Sequence, residues 1–252
     1  MRVDLSGRAV LVTGASRGIG AAVARAFAGA GARVGLHYGR GRGPAEALAA
    51  ELGRGAEVFG ADLADAEACE RLWTDVVDRF GRVDVLVNNA GVAIGSPLDS
   101  PDDRWAADWD RTLAVNLRAT AILSRAAVAH FQAYGGGRIV TVASRAAFRG
   151  DAPDYLAYAA SKAGQVALTR SIARAFGKDG IAAFVVAPGF TRTEMAQDFI
   201  DRYGAEVALR DNALGRFTEP EDIAPTVVFL ASGLADHATG TTVDINAASY
   251  VR

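Results

Sequence analysis

The chain has 252 residues, 50% hydrophobic and 22% charged, with 7 Pro and a single Cys, which excludes a disordered, collagen-like or disulfide-stapled protein. Lys and Arg total 27 against 29 Asp and Glu, a net charge of -2, so nothing advertises a polyanionic partner and nucleic acid is disfavoured. Cys69 stands alone in an Ala/Glu-rich stretch and reads as a small buried apolar residue in a reducing compartment, with no intramolecular disulfide and no metal site expected. The segment Met1 to Arg8 lacks the apolar core of a signal peptide, and uncharged stretches fall short of the roughly 18 residues of a membrane span. A soluble cytoplasmic protein without membrane contact is the expectation.

Short β-branched runs alternate with longer Ala-rich segments. In chain order, Arg8 to Thr13, Arg33 to His37, Glu57 to Ala61, Val83 to Val87, Arg138 to Ala143, Ala182 to Ala187 and Thr242 to Ile245 are predicted strands. Between them, Gly18 to Ala30, Gly43 to Leu52, Asp65 to Phe80, a long stretch Asp102 to Tyr134, Tyr155 to Phe176 and Pro220 to Ala231 are predicted helices. This alternation implies parallel strands joined by right-handed crossovers. The expected fold is α/β, a doubly wound seven-stranded parallel sheet with helices on both faces, formed as one domain over residues 1–252. The segment Phe190 to Gly215 fits neither element cleanly. Because it leaves the carboxyl edge of the sheet, where such folds bind ligands, it is expected to cover the substrate; an irregular surface helix is the alternative.

Directly after the first predicted strand comes Thr13-Gly14-Ala15-Ser16-Arg17-Gly18-Ile19-Gly20. Glycines there allow close backbone approach, and the start of the following helix offers free N–H groups to a phosphate. A tight strand-to-helix turn is the alternative use of the same glycines. Further on, Tyr158-Ala159-Ala160-Ser161-Lys162 sets a phenol and an ammonium at i, i+4 on one helix face. Lys occurs only at positions 162 and 178, so this pairing is unusual by chance. A nearby cation favours phenolate, which makes an otherwise poor base usable. Ser144 follows an apolar strand and falls at the same carboxyl edge as the glycine loop.

With these residues in place the chain resembles the short-chain dehydrogenase/reductase family over nearly its whole length. The resemblance rests on Thr13 to Gly20, Asp62-Leu63, Asn88-Asn89-Ala90-Gly91, Asn116, Ser144, Tyr158-x3-Lys162, and Pro188-Gly189 followed by Thr191 and Thr193. It implies a Rossmann fold and a catalytic tetrad of Asn116, Ser144, Tyr158 and Lys162. Tyr158 would act as acid/base on the substrate oxygen and Ser144 would hold that oxygen. Lys162 would bind the nicotinamide ribose and lower the phenol's pKa, and Asn116 would anchor a water in the proton relay. The resemblance also implies a cofactor site of Gly14, Ser16, Arg17, Gly18, Ile19, Gly20, Tyr38, Arg40, Asp62, Leu63, Asn89, Ala90, Gly91, Tyr158, Lys162, Pro188, Gly189, Thr191 and Thr193, with Asp62 at the adenine and Asn88 on the adenosine side. Asn89 could equally lock a turn.

After the second strand the chain reads His37-Tyr38-Gly39-Arg40-Gly41-Arg42, without the acid that accepts from a ribose 2'-hydroxyl. Arg17 and Arg40 suit a 2'-phosphate, so NADP(H) is expected over NAD(H), and with it reduction of a small-molecule ketone or 3-oxoacyl ester. An NAD-dependent secondary alcohol, steroid or sugar dehydrogenase is the alternative, and a dinucleotide-binding sensor a more distant one. Members named 3-oxoacyl-carrier-protein reductases share the look of Pro188 to Met195. A homotetramer is expected from the resemblance. Arg145 and Arg149, near Ser144, could meet an anionic substrate group or face water. Two departures stand out: Phe184 replaces a usual Asn, and the tail Val243 to Ala248 lacks the usual paired glycines.

Overall fold

Alternating side chains in the strands set the architecture. The computed structural model describes residues 3–53, 55–194, 196, 200–201 and 204–252, with backbone only for 207 and 208. In β1 (Ala9–Val12) Val10 and Val12 face one core while Ala9 and Leu11 face another, so both sides of the strand are buried. The same alternation runs through β2 (Arg33–Tyr38), β4 (Val85–Asn88), β5 (Gly137–Val142) and β6 (Ile181–Pro188). A strand buried on both faces needs a layer of helices on each. With β3 (Ala56–Gly60) and β7 (Thr242–Ile245) they form one parallel sheet of order β3-β2-β1-β4-β5-β6-β7.

One face is covered by α1 (Gly18–Gly29), α2 (Arg42–Leu52) and a late helix, Pro220–Ala231. The other is covered by α3 (Ala66–Phe80), α5 (Ala119–Ala133) and α7 (Leu156–Phe176), with α4 (Asp102–Leu113) leading into α5. Short helices α6 (Ala146–Arg149) and α8 (Ala205–Leu209) stand at the carboxyl edge, and the late helix is therefore α9. The strand order reverses between β1 and β4, and a sheet of this kind opens a crevice outside the carboxyl ends of its strands at that point.

The predicted seven strands and doubly wound order are present. The predicted continuous helix Asp102 to Tyr134 is corrected: Ala114–Arg118 forms a π-helical turn between α4 and α5. One extra residue in a turn leaves the apolar spacing on either side intact, so periodicity cannot reveal it. The strand predicted from Val83 starts at Val85, because the buried Asp84 carboxylate accepts from the Ala9 N–H and pairs with Arg8 and Arg82. Cys69 is fully buried, and burial raises its thiol pKa to about 11. Phe184 is fully buried in the α1/α9 core, so the departure there is a packing substitution.

Candidate active site

The glycine loop is held by its neighbours before any ligand is considered. The Thr13 hydroxyl donates to the Val87 carbonyl at 3.2 Å and accepts from the N–H groups of Asn89 and Ala90 at 2.9 and 3.0 Å. Asn89 Nδ2 donates to the carbonyls of Thr13 and Gly14 at 2.8 and 3.1 Å, so its side chain serves as a lock between β1 and β4. The Gly14 N–H donates to Nδ1 of His37 at 3.0 Å, and Nε2 of His37 lies 3.1 Å from the Ala61 carbonyl. An acceptor at Nδ1 and a carbonyl at Nε2 assign the proton to Nε2. Burial lowers the His37 pKa to about 4, so the imidazole is neutral. This lock was not legible in the sequence, where His37 read only as a strand residue.

Side chains are excluded from the loop. A Cβ on Gly20 would sit 2.1 Å from the Gly14 carbonyl oxygen, and Gly14 itself holds φ +64° with Ala90 Cα 2.9 Å from its own would-be Cβ. No side chain caps the start of α1 and its first turn carries no acid. Free N–H donors at the head of a helix, beside a cradle that any Cβ would fill, fit the pyrophosphate of a dinucleotide.

The four tetrad residues converge beside this loop. Asn116 occupies the middle of the π turn, where its Nδ2 donates to the Val92 carbonyl and to Ser161 Oγ, both at 2.9 Å, while Oδ1 accepts from the Val92 N–H at 2.8 Å. It thereby clamps the segment after β4 to α7. Its backbone carbonyl accepts from Gln165 and Thr120. Gly91 lies between the parts: a Cβ there would be 3.3 Å from Asn116 Oδ1 and 3.5 Å from Lys162 Nζ. Lys162 Nζ donates to the Val142 carbonyl at 2.9 Å, and burial lowers its pKa to about 8.

Tyr158 hydrogen-bonds Ser144, whose Oγ also accepts from the Ala146 N–H. Burial raises the phenol's pKa to about 12, the Ser144 hydrogen bond opposing that rise. Lys162 Nζ stands 5.7 Å from the ring centroid and is turned toward Val142, so loss of hydration dominates the phenol's shift.

The remaining predicted residues divide. Ile19, Pro188, Gly189, Thr191 and Thr193 line one cavity together with Ser144 and Tyr158, and Thr193 Cγ2 would be 3.1 Å from a Cβ on Gly18. Ser16 packs against Gly41, and Tyr38 lies across Gly60 with Arg40 exposed beyond it. Arg17 pairs at 2.5 Å with Glu194 on the surface. Asp62 accepts from the Ala64 N–H and from both terminal nitrogens of Arg111, and Leu63 turns its side chain into the core. The buried amide of Asn88 donates to Ser124 on α5 at 3.1 Å.

The cavity measures about 590 Å³. Its wall carries Arg145 and Arg149 from the start and end of α6, Asp151 and Tyr155 just beyond, and Phe190, Arg210 and Asp211 from the segment after β6. Of these, Arg210 and Asp211 lie in the segment 190–215 expected to cover the substrate, whereas Asp151, Tyr155, Arg210 and Asp211 were not singled out as individual site residues. No local pattern marks Arg210 or Asp211, which reach the site only through the path of the chain after β6.

Such a cradle and proton-bearing floor, at the reversal of a parallel sheet, define a dinucleotide-dependent α/β oxidoreductase. A family model described as enoyl-(acyl carrier protein) reductase matches residues 14–247. The chain is 39% identical to D-threitol dehydrogenase of Mycolicibacterium smegmatis, over 96% of this chain and 92% of that one. It is likewise 39% identical to L-rhamnose 1-dehydrogenase (NAD(P)(+)) of a Sphingomonas species, over 98% of both chains, and 35% identical to 3-oxoacyl-[acyl-carrier-protein] reductase of Staphylococcus aureus, over 97% and 98%. Among solved structures, a dehydrogenase/reductase from Sinorhizobium meliloti superposes with a TM-score of 0.92 at 37% identity, covering 99% of this chain and 98% of that one. A short chain dehydrogenase from Burkholderia cenocepacia in complex with NADP gives 0.90 at 36%, covering 97% and 98%. The chain belongs to the short-chain dehydrogenase/reductase family of oxidoreductases.

Proposed function

We propose that the protein is an NADP(H)-dependent oxidoreductase that interconverts a ketone and a secondary alcohol, with reduction as the working direction. The observation that carries this reading is the Tyr158 phenol on the cavity floor, bonded to Ser144 and kept protonated by burial. A phenol is protonated at neutral pH and can donate that proton to a ketone oxygen as it becomes an alcohol. Bound nicotinamide supplies the hydride. Ser144 holds the substrate oxygen against Tyr158, and Lys162 holds the nicotinamide ribose. Asn116, whose side chain clamps the segment after β4 to α7, keeps these groups in register. Gly14, Gly18, Ile19 and Gly20 cradle the pyrophosphate, and Pro188, Gly189, Thr191 and Thr193 form the opposite wall.

The NADP(H) preference is supported by the absence of an acid after β2 and by the exposed Arg40 there. The segment 190–215 covers the substrate, a role supported by the six described residues Phe190, Thr191, Thr193, Ala196, Arg210 and Asp211 on the cavity wall. One domain over 1–252, a cytoplasmic location and a homotetramer complete the reading; exposed Leu234 and Val251, on either side of β7 in sequence, support assembly at that edge. A second reading, oxidation of a sugar or polyol, is favoured by the charged cavity wall and by the names of the threitol and rhamnose relatives.

The test is loss of nicotinamide absorbance with NADPH and, separately, NADH across 3-oxoacyl thioesters, β-keto esters, diketones, cyclic ketones and ketosugars. Turnover favouring NADPH supports the proposal. Arg40→Ala should weaken NADPH about tenfold while leaving NADH within about twofold, as expected for one charge-assisted phosphate contact; equal weakening removes Arg40 from the 2'-phosphate. Tight binding of cofactor without turnover of any carbonyl or alcohol would return the sensor alternative.

A further inference from the structure

We propose that the substrate carries a carboxylate and that Arg145 is the residue that receives it; this deepens the oxidoreductase reading and rests on it. Arg145 follows Ser144 directly, and its N–H donates to the Pro188 carbonyl at 2.9 Å, which anchors the residue between β5 and β6 at the cavity. Its guanidinium makes no hydrogen bond or ion pair among the described residues, although it is half-buried on the same wall as Ser144 and Tyr158. An arginine carries five donors, and leaving them unmet where water is restricted is costly unless a ligand completes them.

The surroundings sharpen the sign of that ligand. Arg149 and Arg210 share the wall with Arg145, against the carboxylates of Asp151 and Asp211, leaving one positive charge in excess. Arg149 is already engaged, at the long distance of 3.8 Å, with Asp211. Burial lowers the Arg145 pKa, repulsion from Arg149 adds to that, and Asp211 and Asp151 oppose it from beyond ion-pair reach. Two arginines one helical turn apart, the half-buried Arg145 and the exposed Arg149, are relieved by an anion beside them, and the planar fork of arginine is matched to a carboxylate. The rest of the wall is mixed, with polar Asp151 and Tyr155 beside apolar Ala93, Ala146, Phe190 and Ala196, so the carboxylate is the one substrate group that the wall specifies. The chemical class is thus a keto acid and its hydroxy acid, with the carboxylate at Arg145 and the reacting carbon at Tyr158.

Two arms test this. In the first, keto-aldonates of four to six carbons are compared with ketoses of equal length under NADPH, using the wild type, Arg145→Gln and Arg145→Lys. The expected result is a kcat/KM at least tenfold higher for the acids, lost in Arg145→Gln through KM, partly kept in Arg145→Lys, with the ketoses within twofold throughout. In the second, binding of erythronate and of erythritol to the protein saturated with NADP is measured by calorimetry, since these differ only in a carboxylate for a hydroxymethyl group. Erythronate should bind at least tenfold more tightly, and Arg145→Gln should erase the difference without changing the affinity for NADP. Equal binding of the two, or equal damage to acids and ketoses in Arg145→Gln, overturns the anion pocket and leaves the oxidoreductase reading standing. Failure to turn over any carbonyl or alcohol with either cofactor overturns that reading, and with it the assignment of a substrate.

Discussion

The floor and the wall of the cavity are built on opposite terms. In the layer that supports the floor, Thr13, Asn89, His37, Asn116, Ser161 and Lys162 meet their partners within the chain, at distances of 2.8 to 3.2 Å. On the wall, Arg145 has no polar partner for its guanidinium among the described residues, and Arg149 and Asp211 meet only at 3.8 Å. A fully bonded constellation keeps its geometry whether or not a ligand is bound, which is what proton transfer requires. Charges left with slack are instead completed by a ligand, and they discriminate between ligands through what each leaves unpaired. Chemistry is thus assigned to the rigid half and selectivity to the half that waits for a partner.

The sharpest way to break this contrast is Tyr158→Phe. It removes only the proton donor, so turnover should fall on the order of 10²–10⁴-fold while NADPH affinity, read by fluorescence titration, stays within about threefold. A variant that kept its rate would show that the floor does not perform the chemistry.

Acid should loosen the floor next, through His37. Its pKa falls from 6.5 to about 4 on folding, so between those values the unfolded chain binds more protons and stability rises with pH. The stability is complete above about pH 6.5 and is lost as pH falls through about 4, for a total of about 3 kcal/mol. Urea midpoints at pH 7 and pH 4.5 measure the loss, and His37→Gln should remove most of the difference between them. An unchanged slope in that variant would place the acid sensitivity elsewhere.

A smaller effect sharpens the comparison from the rim. Ala247 and Ala248 hold φ of +51° and +54°, the left-handed region in which an alanine is strained, and the Ala247 carbonyl accepts from the N–H of Ala213 in the covering segment. Both lie in the tail Val243 to Ala248, which lacks the paired glycines usual in the resemblance. Replacing either by Gly should raise stability by up to about 1 kcal/mol, relief of strain outweighing the added freedom of the unfolded chain; a destabilised Ala248→Gly would refute the strain. Least of all, Arg145→Gln should shift unfolding stability by no more than about 0.5 kcal/mol, because its guanidinium has no bond to lose among the described residues.

Seven strands, the doubly wound order, the glycine loop and the Tyr158/Lys162 pair were all legible in the sequence, because each depends on residues close together along the chain. A strand buried on two faces shows as a short apolar run, and two side chains on one helix face show as a spacing of four. What the tertiary structure alone decided lies between distant segments. The π turn at Asn116, the bond from Gly14 to His37 across 23 residues, the turn of Asn88 toward Ser124, and the meeting of Arg149 with Asp211 each require the sheet to be assembled first. The direction of the Tyr158 shift belongs there too. Spacing placed an ammonium one turn from the phenol, but the energy of an ionisable group follows the solvent it has lost and the direction in which its neighbour points, and only packing sets both.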